Sequence, residues 1–526
     1  MRWFASLWTL AFWILGIGLP LGAIIREGVQ DLSWQNLFDP VVLGVVWATL
    51  RQVFWSTFFS GTIGLALGLL VGRSSARGGD SRALALFSVP MVIPSVVAGL
   101  GWLIWLGKFG ILSKLGIHLD LAYRFEAVIL AHSFYNIPWV ALVVAHARQL
   151  VPGNQLEALK TLGASRWSLF ADGIWPHLRW TWAAACAQVM GLCAVSFALV
   201  LTLGGGPPVQ TLETEVYSRL KFGGVDWAGA LACAIWELCL TLIPWLLVLF
   251  FQDREKFKVT QSFRAALGKR SGILARMKSF FPFSLGIFFL LPYFGVYTGS
   301  WSSLPKFFQT SEVIRALKFS FSLAVWSSTL TVLTTFIVLS VLFRPKLNPK
   351  FRSILGFLFA LPSGVSVIVL GLGVWLAYGR WIDPFSGSPG AMILLQVTLF
   401  FPLAMRALWN VAASTDVLPM NVAQTLGASP VQAWIEVEWP RWRGPVLVAA
   451  GTVFGAVLGE VGAVSLFASE KWVTLPSLIS QSMQRYQFEE AQMLAAVLLT
   501  VSVFSTLGAT ILGEYLTHKK VTESAV

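Results

Sequence analysis

The sequence predicts an all-α integral membrane protein of about twelve membrane-spanning helices, arranged as two parallel six-helix repeats. Three observations predict this fold: a composition poor in charge, a succession of long apolar segments, and an internal duplication. Of the 526 residues, 56% are hydrophobic and 12% are charged, whereas soluble proteins carry about 25% charged residues. The mean hydropathy is +0.72. Such a chain is suited to lipid rather than to water.

The apolar segments recur along the whole chain. A helix needs roughly 20 predominantly apolar residues to cross the hydrocarbon layer of a membrane. Twelve segments meet this requirement, at about 7–25, 43–72, 84–106, 126–147, 181–203, 227–251, 280–298, 313–343, 353–377, 390–413, 445–467 and 491–514. The first resembles a signal peptide, but its apolar run is long and no A-x-A site follows. We therefore expect it to be retained as a helix.

The Lys and Arg residues indicate how the chain is oriented. With the N-terminus in the cytoplasm, the cytoplasmic connections are much richer in Lys and Arg than those on the other face, and the richest is 252–278. This asymmetry follows the positive-inside rule and predicts that both termini are cytoplasmic. The net charge of +13 is dispersed over short loops, so it indicates membrane orientation and contact with lipid rather than nucleic-acid binding.

Two polar segments inside this apolar chain are related by a fixed offset. Residues 157–176 read EALKTLGASRWSLFADGIWP, and residues 421–440 read NVAQTLGASPVQAWIEVEWP. The same offset aligns the apolar segments that precede them, AVILAHSFYNIPWVAL and AMILLQVTLFFPLAMR. The sequence therefore predicts a first six-helix half at 1–251, a basic linker at 252–279 and a second half at 280–526. Because six is even, both halves enter the membrane in the same direction, as in repeats related by an axis along the membrane normal.

Each polar segment is predicted to fold as a short helix, a turn and a second short helix. Gly163 permits the chain to reverse, Ser165 can cap the helix that follows, and Pro176 is expected to end that helix before the next span. The matching residues of the second copy are Gly427, Ser429 and Pro440. An amphipathic helix on the lipid surface is the alternative, but lipid does not require the same turn twice. Two copies in register favour docking to a partner that itself has two-fold symmetry.

The first polar segment resembles the EAA signature of binding-protein-dependent ABC importer permeases, and the length of the chain resembles the fused, two-half members of that group. The signature lies in the loop before the penultimate helix of a six-helix unit. The resemblance assigns coupling roles to Glu157, Ala158, Leu159, Gly163, Ala164, Ser165 and Pro176, and in the second copy to Thr425, Leu426, Gly427, Ala428, Ser429 and Pro440. The second copy departs at its start, where Asn421 and Val422 replace Glu and Ala.

This resemblance implies a type I importer fold and a permease subunit of the bacterial inner membrane. It implies as partners two copies of a cytoplasmic ATPase, with each loop seated in a cleft of one copy, and a periplasmic binding protein that delivers the cargo. The chain contains no G-x-x-x-x-G-K-[ST] motif, whose backbone and lysine hold the phosphates of ATP. We therefore expect a transport subunit that is not an enzyme and has no cofactor of its own, ATP being bound by the partner.

The cargo is predicted less directly than the type of machine. The segments AHSFYNIP, SFALVLTLGGGP with TLETEVY, and TLPSLISQSMQRYQFEEA are similar to those of the thiamine importers within this group. We expect thiamine or a phosphate ester of it, with ferric iron as the alternative. A proton-coupled secondary transporter is a third possibility, which would need acids embedded in the membrane. The clearest such acids are Glu237 and Glu460, at non-equivalent positions of the two halves.

Several polar residues have roles that the sequence leaves open. Glu460 either lines the transport pathway or is a structural acid paired with a neighbour such as Arg406. Four acids near aromatic residues are predicted on the outer face, either in solvated loops that help to dock the binding protein or as a ring that attracts a cation at the outer mouth. These acids are Glu213, Glu215, Glu489 and Glu490. The five His and four Cys residues are not at metal-ligand spacing, so we predict no catalytic residue and no metal site.

Overall fold

The computed structural model is mainly helical and has no strand in the part of the chain that it describes, which confirms the all-α prediction. The described residues are 2–31, 33–75, 86–108, 110–119, 121–221, 226–254, 273–299, 301, 309–343, 347–381, 387–414, 418–469 and 471–523. Within these ranges β-type pairing is limited to two isolated bridges, Gly206 with Val209 and Ser469 with Trp472. Most of the predicted basic linker lies outside the described residues.

Among the described residues, the helices of the first half are α1 (Arg2–Trp13), α2 (Leu19–Asp31), α3 (Trp34–Leu37), α4 (Pro40–Ser75), α5 (Ser95–Leu106), α6 (Ile111–Lys114), α7 (Phe125–Gln149), α8 (Gly153–Thr161), α9 (Arg166–Ser168), α10 (Trp175–Ala194), α11 (Phe197–Gly204), α12 (Leu212–Lys221) and α13 (Trp227–Arg254). Those of the second half are α14 (Ile273–Phe294), α15 (Ser311–Leu342), α16 (Pro349–Ala360), α17 (Val367–Tyr378), α18 (Pro389–Ala413), α19 (Leu418–Thr425), α20 (Pro430–Ala433), α21 (Trp439–Leu458), α22 (Gly462–Phe467), α23 (Leu475–Gln484) and α24 (Phe488–Glu523). Both halves thus combine short helices with long apolar ones.

Fewer helices are long and apolar enough to span a membrane than the sequence predicts. Among the described residues there are eight, or ten if each of two bent pairs is one span. The bent pairs are Arg166–Ala194 with Phe197–Gly204, at 58°, and Ile354–Gly364 with Val367–Tyr378, at 103°. The predicted span at 280–298 is a shorter apolar helix, Phe283–Thr298. The difference from twelve therefore lies mainly in helices that are interrupted or short.

The interruptions occur at matching places in the two halves. In place of the continuous spans expected at 181–203 and 445–467, the helix breaks before Ser196 and around Glu460. The spans expected at 84–106 and 353–377 break at Pro94 and Ser366, each directly after a short 3-10 turn that contains a proline. Proline lacks a backbone N–H and ends or bends a helix, so hydropathy detects these segments but not their breaks.

Contacts divide the chain into two compact units. One unit contains Ser33–Ile93 and Ala98–Thr298, and the other contains Met1–Leu32, Pro94–Val97 and Gly299–Val526. The first helical segment of each sequence half therefore packs with the unit built from the other half. The repeat boundaries predicted at 1–251, 252–279 and 280–526 describe the sequence, and they stay a prediction.

Specific contacts fix these two exchanged segments. The Tyr378 hydroxyl of α17 donates a hydrogen bond of 2.7 Å to the Leu15 carbonyl, between α1 and α2. In the other unit, the ring of Phe289 on α14 lies 4.8 Å from that of Phe134 on α7. Such aromatic pairs contribute beyond the apolar area that they bury.

Small residues control the packing of α4 against α7. Residues 56, 60, 64, 68 and 72 of α4 are Ser, Ser, Gly, Gly and Gly, which lie on one face because they are four apart. A β-carbon at Gly68 would lie 2.6 Å from Cβ of Val144 on α7, which no real contact allows. Small residues at this spacing let the backbones of two membrane helices approach closely, and they bring the polar face of α4 against α7.

Candidate functional site

The first polar segment forms a tight helix-to-helix turn at Gly163, after α8. Gly163 has a φ of +78°, which glycine adopts at little cost. Its N–H donates to the Lys160 carbonyl and the Ala164 N–H to the Leu159 carbonyl, both at 3.0 Å. This pair of bonds is a Schellman motif, which satisfies the last carbonyls of a helix. The Ser165 hydroxyl then accepts from the Ser168 N–H and caps α9.

The second polar segment repeats this geometry after α19. Gly427 has a φ of +94°, its N–H donates to the Gln424 carbonyl at 3.1 Å, and the Ala428 N–H donates to the Ala423 carbonyl at 3.0 Å. Ser429 caps α20 in a capping box with Gln432. The turn and the cap predicted from the sequence are therefore present in both copies, although Glu157 has no counterpart in the second.

The prolines act differently from the prediction. We expected Pro176 and Pro440 to end the second short helix, and this is wrong. The helix continues through a wide π turn, Leu169–Ile174 or Trp434–Glu438, into α10 or α21. The Trp175 N–H donates to the Phe170 carbonyl, five residues back. Because proline has no N–H, the widened turn before it carries the chain into the long helix without a break.

Each turn is held to the long helix that follows it by the residue after the proline. The His177 Nε2 lies 2.9 Å from the Gln155 amide oxygen on α8. In the second copy, Arg441 donates a bond of 2.9 Å to the Ser414 carbonyl, ahead of α19. Leu156 and Leu159 also lie against Gly173 of the first π turn. These contacts fix the direction in which each turn projects.

Both turns present an apolar tip. Leu162 and Leu426, the residues before the two glycines, are each 83% exposed. Trp167 on the first turn, and Val431 and Ile435 on the second, are also exposed. Exposed apolar side chains that cluster on a fixed turn are typical of an interface. The remaining residues of the signature surround these tips, with Glu157, Ala158 and Thr425 exposed and Ala164 and Ala428 half-buried.

Glu460 caps a broken helix. Its carboxylate oxygens accept bonds of 2.6 Å from the Gly462 N–H and 2.9 Å from the Ala463 N–H, at the start of α22. The ion pairs of the described residues do not include one between Glu460 and Arg406. The structure shows the Glu460 carboxylate bonded to backbone rather than to Arg406, and its place along the transport pathway stays a prediction.

Replacing Glu460 with leucine should destabilise the protein by about 1–2 kcal/mol, the usual cost of losing a helix cap. Glu460→Gln should lose less, since an amide oxygen still accepts one bond. The midpoint of thermal unfolding of the purified protein measures this, with Glu489→Leu, at an exposed glutamate, as the control. An unchanged midpoint in Glu460→Leu would contradict the capping role.

The four predicted outer-mouth acids lie in different settings. Glu213 and Glu215 are buried in the first turn of α12, and Glu215 Oε1 lies 2.7 Å from Arg219 Nε. A solvated loop at 211–217 is therefore not what the structure shows. Glu489 is exposed and Glu490 half-buried at the start of α24. The two pairs belong to different units, and the outer-mouth ring stays a prediction.

The structural counterpart of the 211–217 segment in the second half is 474–480, which holds neither Glu489 nor Glu490. The Leu212 N–H donates to the Thr49 hydroxyl of α4 at 3.0 Å, and the Leu475 N–H donates to the Ser320 hydroxyl of α15 at 2.7 Å. The repeated Thr-Leu pair at 211 and 474 is the sequence signal that identifies this match. Among the described residues, no group of three or more His, Cys, Asp or Glu side chains is placed to hold a metal ion.

Comparison with known proteins shows one family over most of the chain. Residues 64–256 and 337–519 each match the family "Binding-protein-dependent transport system inner membrane component". The thiamine transport system permease protein ThiP of Brucella abortus (strain 2308) is 28% identical over 471 residues, 86% of this chain and 85% of that protein. ThiP of Haemophilus influenzae is 27% identical over 512 residues, 93% and 92% of the two chains. The sulfate transport system permease protein CysT of Escherichia coli is 26% identical over 250 residues, 45% of this chain and 86% of its own.

Proposed function

The chain belongs to the family of binding-protein-dependent transport system inner membrane components, and we propose that it imports thiamine, or a phosphate ester of it, driven by ATP. Family membership makes it a multi-pass inner membrane protein and a permease subunit rather than an enzyme. Two family domains in one chain, each aligned with about one half, make it a fused permease. A single chain thus supplies both halves of the transport pathway.

The partners that we propose are two copies of a cytoplasmic ATPase and a periplasmic binding protein. The observation that carries the docking proposal is the repeated geometry of the turns at Gly163 and Gly427. A pair of identical ATPase subunits offers two equivalent clefts, so the two turns must share the features that the clefts recognise. They share the backbone path and the exposed leucines Leu162 and Leu426, but not charge. We propose that these leucines enter the clefts, while the ATPase binds the ATP.

The docking proposal also fixes the orientation of the chain. Binding of a cytoplasmic ATPase requires both turns on the cytoplasmic face, because a soluble protein reaches only the loops on its own side. An even number of predicted spans separates each turn from the nearer chain terminus, so both termini would also lie in the cytoplasm. The excess of Lys and Arg in the connections on that face supports the same orientation.

Thiamine is proposed as the cargo because relatives named as thiamine permeases align with nearly the whole chain. The sulfate permease aligns with only 45% of it. Cells that lack their own thiamine and ferric-iron importers, supplied with this permease, its ATPase and its binding protein, should accumulate labelled thiamine. They should not accumulate labelled ferric iron. Iron uptake without thiamine uptake would refute the proposed cargo but not the importer.

The uptake test needs a variant that separates transport from leakage. An ATPase subunit without hydrolytic activity should abolish thiamine accumulation when all three proteins are present at the same amount. Accumulation that persists with the inactive ATPase would contradict an ATP-driven importer and would favour a secondary transporter.

A further inference from the structure

Three buried side chains from different helices form a hydrogen-bonded chain at the break between α10 and α11. Gln52 Nε2 on α4 lies 2.8 Å from His132 Nδ1 on α7, and His132 Nε2 lies 2.7 Å from the Ser196 hydroxyl at the break. Gln52 and His132 are both buried. With the Gln52 amide nitrogen as the donor to Nδ1, Nε2 carries the hydrogen that is donated to Ser196. The chain of bonds thus runs from α4 through α7 to the break.

Ser196 occupies an unusual position for its bond. It is the N-cap residue of α11, where a serine hydroxyl ordinarily accepts from the first N–H groups of its own helix. Here the side chain makes no such capping bond. The hydroxyl is bonded to His132 on the neighbouring helix instead. The conformation of this break therefore depends on α7 rather than on α11 alone.

The second half holds its break by other means. Glu460 matches Ser196 in the repeat, and Gln396 on α18 matches His132. Glu460 caps its own helix α22 through the Gly462 and Ala463 N–H groups, and the Gln396 amide oxygen accepts a bond of 2.7 Å from Ser327 on α15. Within the described part of the chain, no hydrogen bond joins Gln396 to Glu460. The second break is capped from within its own chain segment.

The order of the helices along the chain relates this difference between the two breaks to movement of the turns. Helix α7 leads through α8 into the turn at Gly163, and α10, which follows the turn, ends at Ala194, two residues before Ser196. Near the turn, Gln155 and His177 already join the incoming and outgoing segments. The bond between His132 on α7 and Ser196 at the break is a second connection between the segments before and after the turn, far from the turn itself. In the first half a hydrogen bond therefore reaches the break itself. In the second half, the bond far from the turn lies beyond the break, from the Ser388 N–H to the Phe467 carbonyl at the end of α22.

We propose that the bond between His132 and Ser196 makes α7, the Gly163 turn and α10 move as one piece, so that displacement of the turn changes the break before α11. Among the described residues, the break around Glu460 has no such bond to α18, so its response to displacement of its own turn does not depend on one. Gln52 is a positioning residue, because the hydrogen bond between its amide nitrogen and Nδ1 holds the His132 ring in this orientation. This inference rests on the proposed docking of the turns to an ATPase, since the ATPase supplies the displacement.

Hydrogen exchange of the complete permease–ATPase complex tests the proposal without knowledge of the cargo. Backbone amides in 194–204 and in 458–467 are compared between the nucleotide-free complex and the complex trapped with ATP and vanadate. In the wild type, trapping should change exchange in 194–204 by about fivefold, the effect of one hydrogen bond on a local opening equilibrium. Ser196→Ala and His132→Gln should both abolish that change and leave the response of 458–467 as it is in the wild type.

Two further variants distinguish loss of the bond between His132 and Ser196 from a general loss of structure. Ser196→Thr keeps the hydroxyl and should retain the nucleotide response. His146→Gln, at an exposed histidine of the same helix α7, should also retain it. The proposal would be overturned if hydrogen exchange in 194–204 of the wild type did not respond to nucleotide. It would also be overturned if exchange in Ser196→Ala responded as it does in the wild type. Absence of the ATPase from the purified wild-type complex would overturn the proposed function and, with it, the proposed role of the bond between His132 and Ser196.

Discussion

Replacing Gly163 or Gly427 with valine should abolish ATP-coupled uptake while the chain still inserts into the membrane. The two residues have φ values of +78° and +94°, a region that β-branched residues avoid. The cost is about 1–2 kcal/mol or more for each turn. A β-carbon at either position would meet no atom within 4 Å, so the effect acts through the backbone alone. Either the turn opens and the exposed leucine moves, or the helix before it frays.

The matched control for this experiment is asparagine at the same positions. Asparagine tolerates the left-handed conformation and fills the same open space, so Gly163→Asn and Gly427→Asn should retain most of the uptake. Membrane insertion and yield of all four variants are measured beside uptake and ATP hydrolysis. Wild-type uptake in both valine variants would show that the geometry of the turns is not needed for coupling.

The turns are the part of the candidate site that the sequence predicts best, and the reason is that they are locally encoded. Glycine after a helix and serine two residues later define a Schellman motif and a cap within a few residues, whatever packs around them. The sequence does not predict the role of the prolines correctly, because their effect depends on the preceding turn. A π turn before Pro176 supplies the room that the missing N–H and the ring require, and nothing local in the sequence marks it.

The exchanged helices and the breaks could not be predicted from hydropathy. Hydropathy shows that an apolar segment prefers lipid or a protein core, but it does not identify the helices against which the segment packs. The sequence therefore places α1, α2 and α14 in the half in which they occur along the chain. Breaks depend on side chains that replace the lost backbone bonds. Glu460 is a single acid in an apolar run, and only the structure shows that its oxygens face two backbone N–H groups at a break. A mid-helix acid and a cap look alike in the sequence.

Aspartate at both exposed leucines should remove the ATPase from the purified complex. Leu162 and Leu426 are each 83% exposed, so Leu162→Asp and Leu426→Asp should not disturb folding. An unpaired carboxylate buried in an apolar cleft is penalised by several kcal/mol, and each 1.4 kcal/mol weakens binding about tenfold. Each single variant should bind the ATPase more weakly, and the double variant should not retain it. Copurification with the ATPase subunit measures this.

The control is the same substitution at an exposed leucine outside the turns. Leu115, at the end of α6, is 66% exposed, and Leu115→Asp should retain the ATPase as the wild type does. The single variants also decide whether the two turns are equivalent. The first turn carries Glu157, Lys160 and Arg166, and these charges can sustain docking when Leu162 is lost. The helix α19 of the second turn carries no charge, so Leu426→Asp should be the more damaging single change. Equal loss in both single variants would contradict a role for the charges, and full retention of the ATPase in the double variant would contradict the leucine contacts altogether.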